Sequence, residues 1–474
     1  MFVTRLTKKI TANPERIIFQ YFDPGSEVRI KNIIDKVISL SEKETKIMSE
    51  DLYKDFSQRH LKFKQKLLFN YEKIEPFIQN SGSLSNEKKY LLGAYFSKEY
   101  SIEAASLFNP SIVPHPDQNY LKPGMLRFIM SFRATGEGHM SSIEFRTGIL
   151  DSKNEVFFNL ISKYSELPVK DKNKRYSKKF LLERIESENP EQQKLLDKFP
   201  ENYNLDQAKK FIKENIFNDP DGNFFNKIIN LLESNYDINF PEISTIPERI
   251  IFPNSPLESV GMEDARFVLF KEEDGSSIYY ATYTAYNGKT CSTHLIETND
   301  FLHFKIRTMH GKGINGKGMA LFPRRINGKY VITSRQDGEN LFIMFSDNLY
   351  FWNEYSILKV PEEPWEYVQI GNGGSPIETE QGWLLITHAV GPFRRYTLSA
   401  CLLDLDDPSK VIGTLKCPLI EPNENEREGY VPNVVYSCGS ILHNNELIIP
   451  YAMSDSYCGF AKVNLAELLN NLTN

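Results

Sequence analysis

Long hydrophobic runs are missing from this 474-residue chain. No apolar stretch reaches the ~18–20 residues that a bilayer-crossing helix needs. The opening MFVTRLTKKITANPERIIFQ has no apolar h-region and does not read as a secretory signal. Positive charge is not in excess: 56 Lys and Arg stand against 62 Asp and Glu, a net charge of -6. That argues against a broad nucleic-acid surface, which needs clustered Lys and Arg. Cysteine is sparse. Cys291, Cys401, Cys417, Cys438 and Cys458 are odd in number, widely spaced and without a CxxC pair. They fit reduced thiols in a cytosol better than a disulfide framework or a zinc site. The expectation is a cytoplasmic protein with no membrane and no nucleic-acid partner.

What is present is ordinary for a globular protein: 41% hydrophobic and 25% charged residues. The length allows a large core and more than one domain. Aromatics reach 12%, with 24 Tyr and 32 Phe. Sugar sites use aromatic faces, but the default use is a β-rich core.

The first hundred residues read as helices. QRHLKFKQKLLFNYEKIEPFI places Leu61, Leu67, Leu68, Tyr71 and Ile74 near helical spacing. After the polar turn NSGSLSNEKK, Ser85 is positioned to cap a helix holding Tyr90, Leu91, Leu92 and Tyr95. From about Asp151 to Asp237 the chain is again Lys/Glu-rich and helical in pattern, as in NLDQAKKFIKENIF.

The remainder repeats. Five segments share a turn, an apolar strand ending in polar residues, and a second strand: GMLRFIMSFRATGEGHMSSIEFRTGI, GSSIYYATYTAYNGKTCSTHLIET, GKYVITSRQDGENLFIMFSD, GWLLITHAVGPFRRYTLSACLLD and NELIIPYAMSDSYCGFAKV. The middle three start at Gly275, Gly328 and Gly382, spaced at roughly 50 residues, which is propeller-blade length. A further strand precedes each hairpin, in SLFNPSIV, GMEDARFVLF, KGMALFPRRI, GNGGSPIE and VPNVVYSCGSIL. The fold expected is mainly β: a five-bladed β-propeller over residues 104–474. It has an N-terminal α-helical region at 1–103 and a helical insertion at 151–237, in or after the first blade.

Equivalent positions of a propeller's blades converge on its axis, so residues that break the apolar pattern at the same place in each repeat share a cavity. The hairpin strands end with Arg133, Tyr283 with Thr284, Arg335, His388 and Asp455. The preceding strands supply Asn109, Asp264, Lys317, Ser375 and Asn433. Any one alone reads as a salt-bridge partner or a satisfied core histidine. As a ring they read as functional. In GMEDAR the adjacent carboxylates Glu263 and Asp264 point to opposite faces of a strand, so one faces the axis. A carboxylic acid among apolar neighbours can serve as a general acid, and the plain alternative is a turn or salt-bridge carboxylate. No metal-ligand spacing is evident.

GMEDAR, KGMALFPRRINGKY, WEYVQIGNGGSPIET, GWLLITHAVGP, GYVPNVVYSCG and IPYAMSDS occur in the order found in glycoside hydrolase family 130, the β-mannoside phosphorylases and β-mannosidases. The chain resembles that family over residues 104–150 and 238–474. The resemblance implies a five-bladed propeller that inverts the anomeric carbon of a terminal β-mannoside. Phosphorylases of the family attack with inorganic phosphate and release α-mannose 1-phosphate, and hydrolases use water. Asp264 matches the family's acid, whose proton reaches the glycosidic oxygen directly or through a sugar hydroxyl. Lys317, Arg335 and His388 match its phosphate site. Arg133, Arg266 and Asp455 match positions that shape the mannose site, to which the ring adds Asn109, Glu263, Tyr283 and Asn433. Three features depart from the family: EDAR stands where EDPR is usual, Lys289 rather than an Arg follows the second hairpin turn, and the N-terminal helices and the insertion lengthen the chain beyond a minimal member.

The resemblance thus implies a β-mannoside phosphorylase with a mannoside substrate, no cofactor, and inorganic phosphate as co-substrate. An inverting hydrolase would instead need a second carboxylate to activate water, for which Glu339, Asp337 and Glu378 are the candidates. A mannosyltransferase running the reverse reaction and a non-catalytic glycan-binding propeller are the other readings. Of Arg394 and Arg395, at least one is expected on a solvated loop. The helical additions would wall the acceptor side of the cleft or join subunits of a homo-oligomer.

Overall fold

From Ser97 onward strands outnumber helices in the computed structural model, which describes residues 3–215 and 222–473. The sheets are antiparallel meanders built from the segments that repeat in the sequence. The first runs through Ser106–Pro114, Leu126–Thr135 and Ser141–Leu150. The second runs through Gly261–Lys271, Ser277–Tyr286, Cys291–Thr298 and His303–Thr308. Hydrogen bonding joins these two into one 11-stranded sheet, but their link is a single parallel pair, Gly261 with Ser141. A four-stranded, a five-stranded and a six-stranded sheet follow in chain order. None of them closes on itself among the described residues.

The strand that opens each meander is long in the first two and short in the others. KGMALFPRRI contributes only Ala320–Leu321, and GNGGSPIE splits between Gln369–Asn372 and Ile377–Thr379. Two glycines, 373 and 374, lie in the break, where a side chain at 374 would strike the Cys438 backbone and one at 373 would crowd Ile386. Leading segments from all five meanders line one cavity of about 270 Å³, among them Pro114, Lys271, Arg324, Glu378 and Leu442.

The N-terminal stretch contains helices, but not throughout. Helices Glu27–Ile38, Glu42–Phe56, Phe63–Ile74 and Asn86–Tyr95 bury Ile30, Ile34, Tyr71, Ile74 and Leu92 in a core of their own. Ser85 caps the last of them by accepting from the Lys88 N–H, as its position in the sequence suggests. Gly93 lets two of these helices touch: a Cβ there would lie 2.0 Å from the Leu67 carbonyl oxygen.

Around these helices the expectation of an all-helical stretch needs correcting. Thr4–Arg5 and Ile10–Thr11 pair with Tyr457–Asn464, so the start of the chain covers the edge of the last sheet. Ile17–Tyr21 pairs with Ser97–Ser101. Arg16 fastens this region to the first meander. Its Nε lies 3.0 Å from Glu103 and 2.9 Å from Glu144, all three buried, and Arg146 bridges the same two carboxylates.

The segment 151–237 is helical in its middle, where Leu181, Leu195, Leu196, Tyr203 and Ile228 form a separate core. The helix read in NLDQAKKFIKENIF runs over Leu205–Glu214, and residues 216–217 lie outside the described residues. The end of the segment is a strand. Tyr236–Asn239 pairs with His303–Thr308, which makes the insertion an outer layer of the second meander.

Candidate functional site

The site grows out of two β-bulges. The first meander's leading strand loses register between Phe108 and Ser111, and the second's between Glu263 and Arg266. Asn109 and Asp264 sit in these bulges with φ of 50° and 54°. A left-handed backbone at a residue other than glycine is costly and re-aims the side chain. Here it turns both side chains toward each other: Asn109 Nδ2 donates to Asp264 Oδ1 at 2.7 Å. Ala265 occupies the place that Pro110 holds in the first bulge.

Arg133, from the hairpin strand of the first meander, approaches the same carboxylate, with Nη1 3.7 Å from Asp264 Oδ1. Its Nη2 donates to Glu263 Oε1 at 2.9 Å, and Lys317 Nζ donates to Glu263 Oε2 at 2.7 Å. Glu263 therefore links a cation of the first meander to a cation ahead of the third. Burial works against the Lys317 ammonium, yet the Glu263 carboxylate holds its pKa above the ordinary lysine value. Asp455 arrives from the last sheet, also left-handed at φ 51°. Burial first, and the Asp264 charge second, push its carboxyl up to about 6, against the opposing pull of Arg133 and Arg394.

A second line of contacts begins at Arg266. It is 2% exposed and donates to the Asp264 carbonyl at 2.9 Å, the Gly373 carbonyl at 3.0 Å and the Tyr436 hydroxyl at 2.7 Å. Its donors face the protein, so it braces the bulge from behind. Tyr436 packs on His388 with ring centroids 4.7 Å apart, and His388 Nε2 lies 3.5 Å from Arg335 Nη1.

His388 differs from the basic group that the sequence suggests. Burial, with Arg335 and Arg266 beside it, holds its pKa well below the usual value, so the ring is neutral. Its Nδ1 lies 3.1 Å from the Asn372 carbonyl and donates there, which leaves Nε2 as an acceptor for Arg335. It orients a cation and adds no charge of its own.

One further residue falls elsewhere. Thr284 pairs with Glu263 across the sheet, so the neighbouring Tyr283 turns to the opposite face. It is 1% exposed in the core and bonds to Glu258 and His294. Asn433 shares the left-handed backbone of Asn109 and Asp264, at φ 63°, and its Oδ1 accepts from Arg427 Nε at 2.9 Å. The structure thus brings together Asn109, Arg133, Glu263, Asp264, Lys317 and Asp455, with Arg266, Arg335 and His388 behind or beside them.

Sequence reasoning missed Asn372. It is 1% exposed on the leading strand beside His388, and both side-chain amide atoms lack a partner within the described residues, as do Ser375 Oγ and Asn109 Oδ1. Buried amides are rarely left unpaired, so Asn372, whose backbone carbonyl meets His388, belongs with the site. The only signal in the sequence was an amide set among glycines in GNGGSP.

Of the carboxylates considered as water-activating bases, Asp337 and Glu378 are already engaged. Asp337 Oδ1 accepts from the N–H groups of Glu339 and Asn340 in its own turn. Glu378 forms a pair of bonds to Arg324, at 2.6 and 2.9 Å, and lines the cavity at the opposite end of the leading strands. Glu339 is exposed. Arg395 meets Glu421 at 3.6 Å on the surface, while Arg394 lies over the Tyr396 ring.

Residues 221–474 match a family model described as β-1,4-mannooligosaccharide phosphorylase, glycoside hydrolase 130. A 1,2-β-oligomannan phosphorylase of Thermoanaerobacter sp. (strain X514) is 38% identical over 213 residues, 44% of this chain and 70% of that protein. A β-1,2-mannobiose phosphorylase of Listeria innocua serovar 6a is 28% identical over 236 residues, 48% of this chain and 65% of that protein. The solved structure of a Listeria innocua β-1,2-mannobiose phosphorylase with β-1,2-mannobiose aligns at a TM-score of 0.47 and 20% identity. It covers 78% of this chain and 92% of that one.

Proposed function

The chain belongs to glycoside hydrolase family 130, and from that premise we propose that it is an inverting β-mannoside phosphorylase. As a member it is an enzyme acting on β-mannosides. The observation that carries the finer reading is the placement of Asp264 within one contact network with cations from separate meanders, Arg133 and Lys317.

In this reading a terminal β-mannosyl unit sits over Asn109, Arg133 and Asp455. Inorganic phosphate lies against Lys317 and Arg335, with His388 orienting the guanidinium. Charge-assisted donors are what a phosphate dianion requires. A phosphate oxygen attacks C1 as the glycosidic C–O bond breaks, and the Asp264 proton passes to the leaving oxygen, directly or through a sugar hydroxyl. The products are α-mannose 1-phosphate and the shortened glycan. Phosphate enters as co-substrate, and the displacement is drawn without another cofactor. The reverse reaction, mannosyl transfer from mannose 1-phosphate, uses the same groups.

We read the architecture as a five-bladed propeller with 1–103 and 151–237 as additions to it. The cavity lined by leading segments from all five meanders supports that count. Five free cysteines support a reducing, cytoplasmic location. Among the described residues no helix is long and apolar enough to cross a membrane.

The test is incubation with β-1,2- and β-1,4-mannobiose, with and without inorganic phosphate. Phosphate-dependent mannose 1-phosphate is expected. Free mannose without phosphate would make the enzyme a hydrolase, and Glu339 would then be the first base to mutate.

A further inference from the structure

The insertion encloses a cavity of about 490 Å³ that the reaction does not use, with Lys170, Lys172 and Lys174 on its wall. The wall runs from Lys170 to Tyr236 and takes only Asn254 from beyond the insertion. The chain is pinned where the lysines begin. Val169–Lys170 pairs with Ile238–Asn239, and the Asp171 N–H donates to the Asp237 carbonyl at 2.9 Å. Asp171 Oδ1 then accepts from the Asn173 N–H at 2.8 Å, which turns the segment. Three lysines at alternate positions thereby reach one cavity.

Their charges are poorly balanced. Lys170 is half-buried, and its Nζ donates to the Glu233 and Asn254 carbonyls at 3.2 and 3.1 Å. The same ammonium lies 4.4 Å from the centre of the Tyr236 ring. All three partners are neutral, and no carboxylate among the described residues forms a salt bridge with it. An ammonium held by dipoles alone keeps its charge uncompensated. Burial accordingly lowers its pKa below the ordinary lysine value. Lys174 Nζ donates to Asp237 Oδ1 at 2.6 Å, but Arg307 Nη1 donates to the same oxygen, also at 2.6 Å. One carboxylate therefore serves two cations. Burial first, and Arg307 second, push the Lys174 ammonium down to about 8. Lys172 is exposed and has no ion-pair partner among the described residues. Of the carboxylates on the wall, Glu233 is taken by Lys209 at 2.6 Å. Asp171 and Asp206 remain as charged acceptors.

We propose that this cavity binds a small phosphomonoester of hexose-phosphate size, with its phosphate against Lys170, Lys172 and Lys174 and its hydroxyls against Asp171 and Asp206. A phosphate dianion offsets two uncompensated ammonium groups, where a carboxylate offsets one, and lysine serves phosphate as a point charge. The volume falls within the roughly 300–1,000 Å³ of small-molecule sites. The proposal stands apart from the phosphorylase reading, because none of the wall residues belongs to the Asp264 group.

The experiment is calorimetric titration of the full-length protein with glucose 6-phosphate. It is run on the unsubstituted chain and on Lys317→Met, which silences the phosphate position proposed at the catalytic site. Binding is expected in both. Adding Lys172→Gln or Lys174→Gln should weaken it about tenfold or more. Lys179→Gln removes a nearby exposed cation that does not line the cavity, and should leave binding unchanged. No binding up to about 10 mM overturns the proposal. So does binding that Lys317→Met abolishes and the insertion variants keep, which would place the anion at the catalytic site. Equal weakening by Lys179→Gln would show a diffuse charge effect and also overturns it. Inorganic phosphate binding as tightly as glucose 6-phosphate would remove the hexose from the assignment.

Discussion

Asn109 and Asp264 lie 155 residues apart in sequence, yet each occupies a left-handed bulge position and the two share a 2.7 Å hydrogen bond. The bond fixes the carboxylate before substrate arrives. Asp264→Asn is expected to lower kcat for phosphorolysis by about 10²–10⁴. Asn109→Ala should leave the acid in place but loosely aimed, with a loss nearer tenfold to a hundredfold. Steady-state rates on mannobiose measure both. An Asp264→Asn enzyme with near-normal kcat would remove Asp264 from the mechanism.

Lys317 is held by Glu263 at 2.7 Å, and the proposed mechanism has it turn to phosphate. A charge-assisted bond contributes about 1.5–3 kcal/mol, so Lys317→Met should raise the phosphate KM by roughly ten- to a hundredfold. Mannoside binding without phosphate, read by calorimetry, should hold. If both fall together, Lys317 is not the phosphate ligand.

Asp455 gives a pH signature. Its carboxyl titrates near 6 in the folded protein, raised from 3.8. The folded state therefore binds this proton more tightly than the unfolded state does. That proton favours folding at low pH, and the advantage is lost as pH rises from about 4 through 6. Ionised Asp455 then costs on the order of 2 kcal/mol above pH 7. Asp455→Asn removes this cost. The variant should melt a few degrees higher than the unsubstituted protein at pH 7.5, with the gap closing toward pH 4. Thermal melts across that range decide it, and a gap independent of pH would contradict the assignment.

Arg16 sits between Glu103 and Glu144, all of them buried. Removing one member of such a cluster leaves an uncompensated charge, at a typical cost of about 3–5 kcal/mol. Arg16→Met should accordingly lower the urea midpoint. Limited proteolysis should show the N-terminal helices released first, since Arg16 fastens them to the first meander.

Much of this protein is legible in its sequence because the deciding signals are local. Alternating apolar residues between glycine turns specify the hairpins, and Ser85 specifies a helix start. GMEDAR marks a carboxylate where an apolar residue belongs. The insertion's last strand was hidden because Tyr236–Asn239 becomes a strand only when His303–Thr308 presents an edge to it. Thr4–Arg5 is the same case at the other end of the chain.

The sequence by itself determined which residue types stand at the ends of the repeating strands, and so which side chains were available to a site. Only the tertiary structure decided what each one is. Burial beside two guanidinium groups makes His388 a neutral acceptor, and the alternation of one strand sends Tyr283 into the core while Glu263 reaches two cations. Charge state and direction depend on desolvation and on neighbours brought from distant segments, and a linear order of residues contains neither.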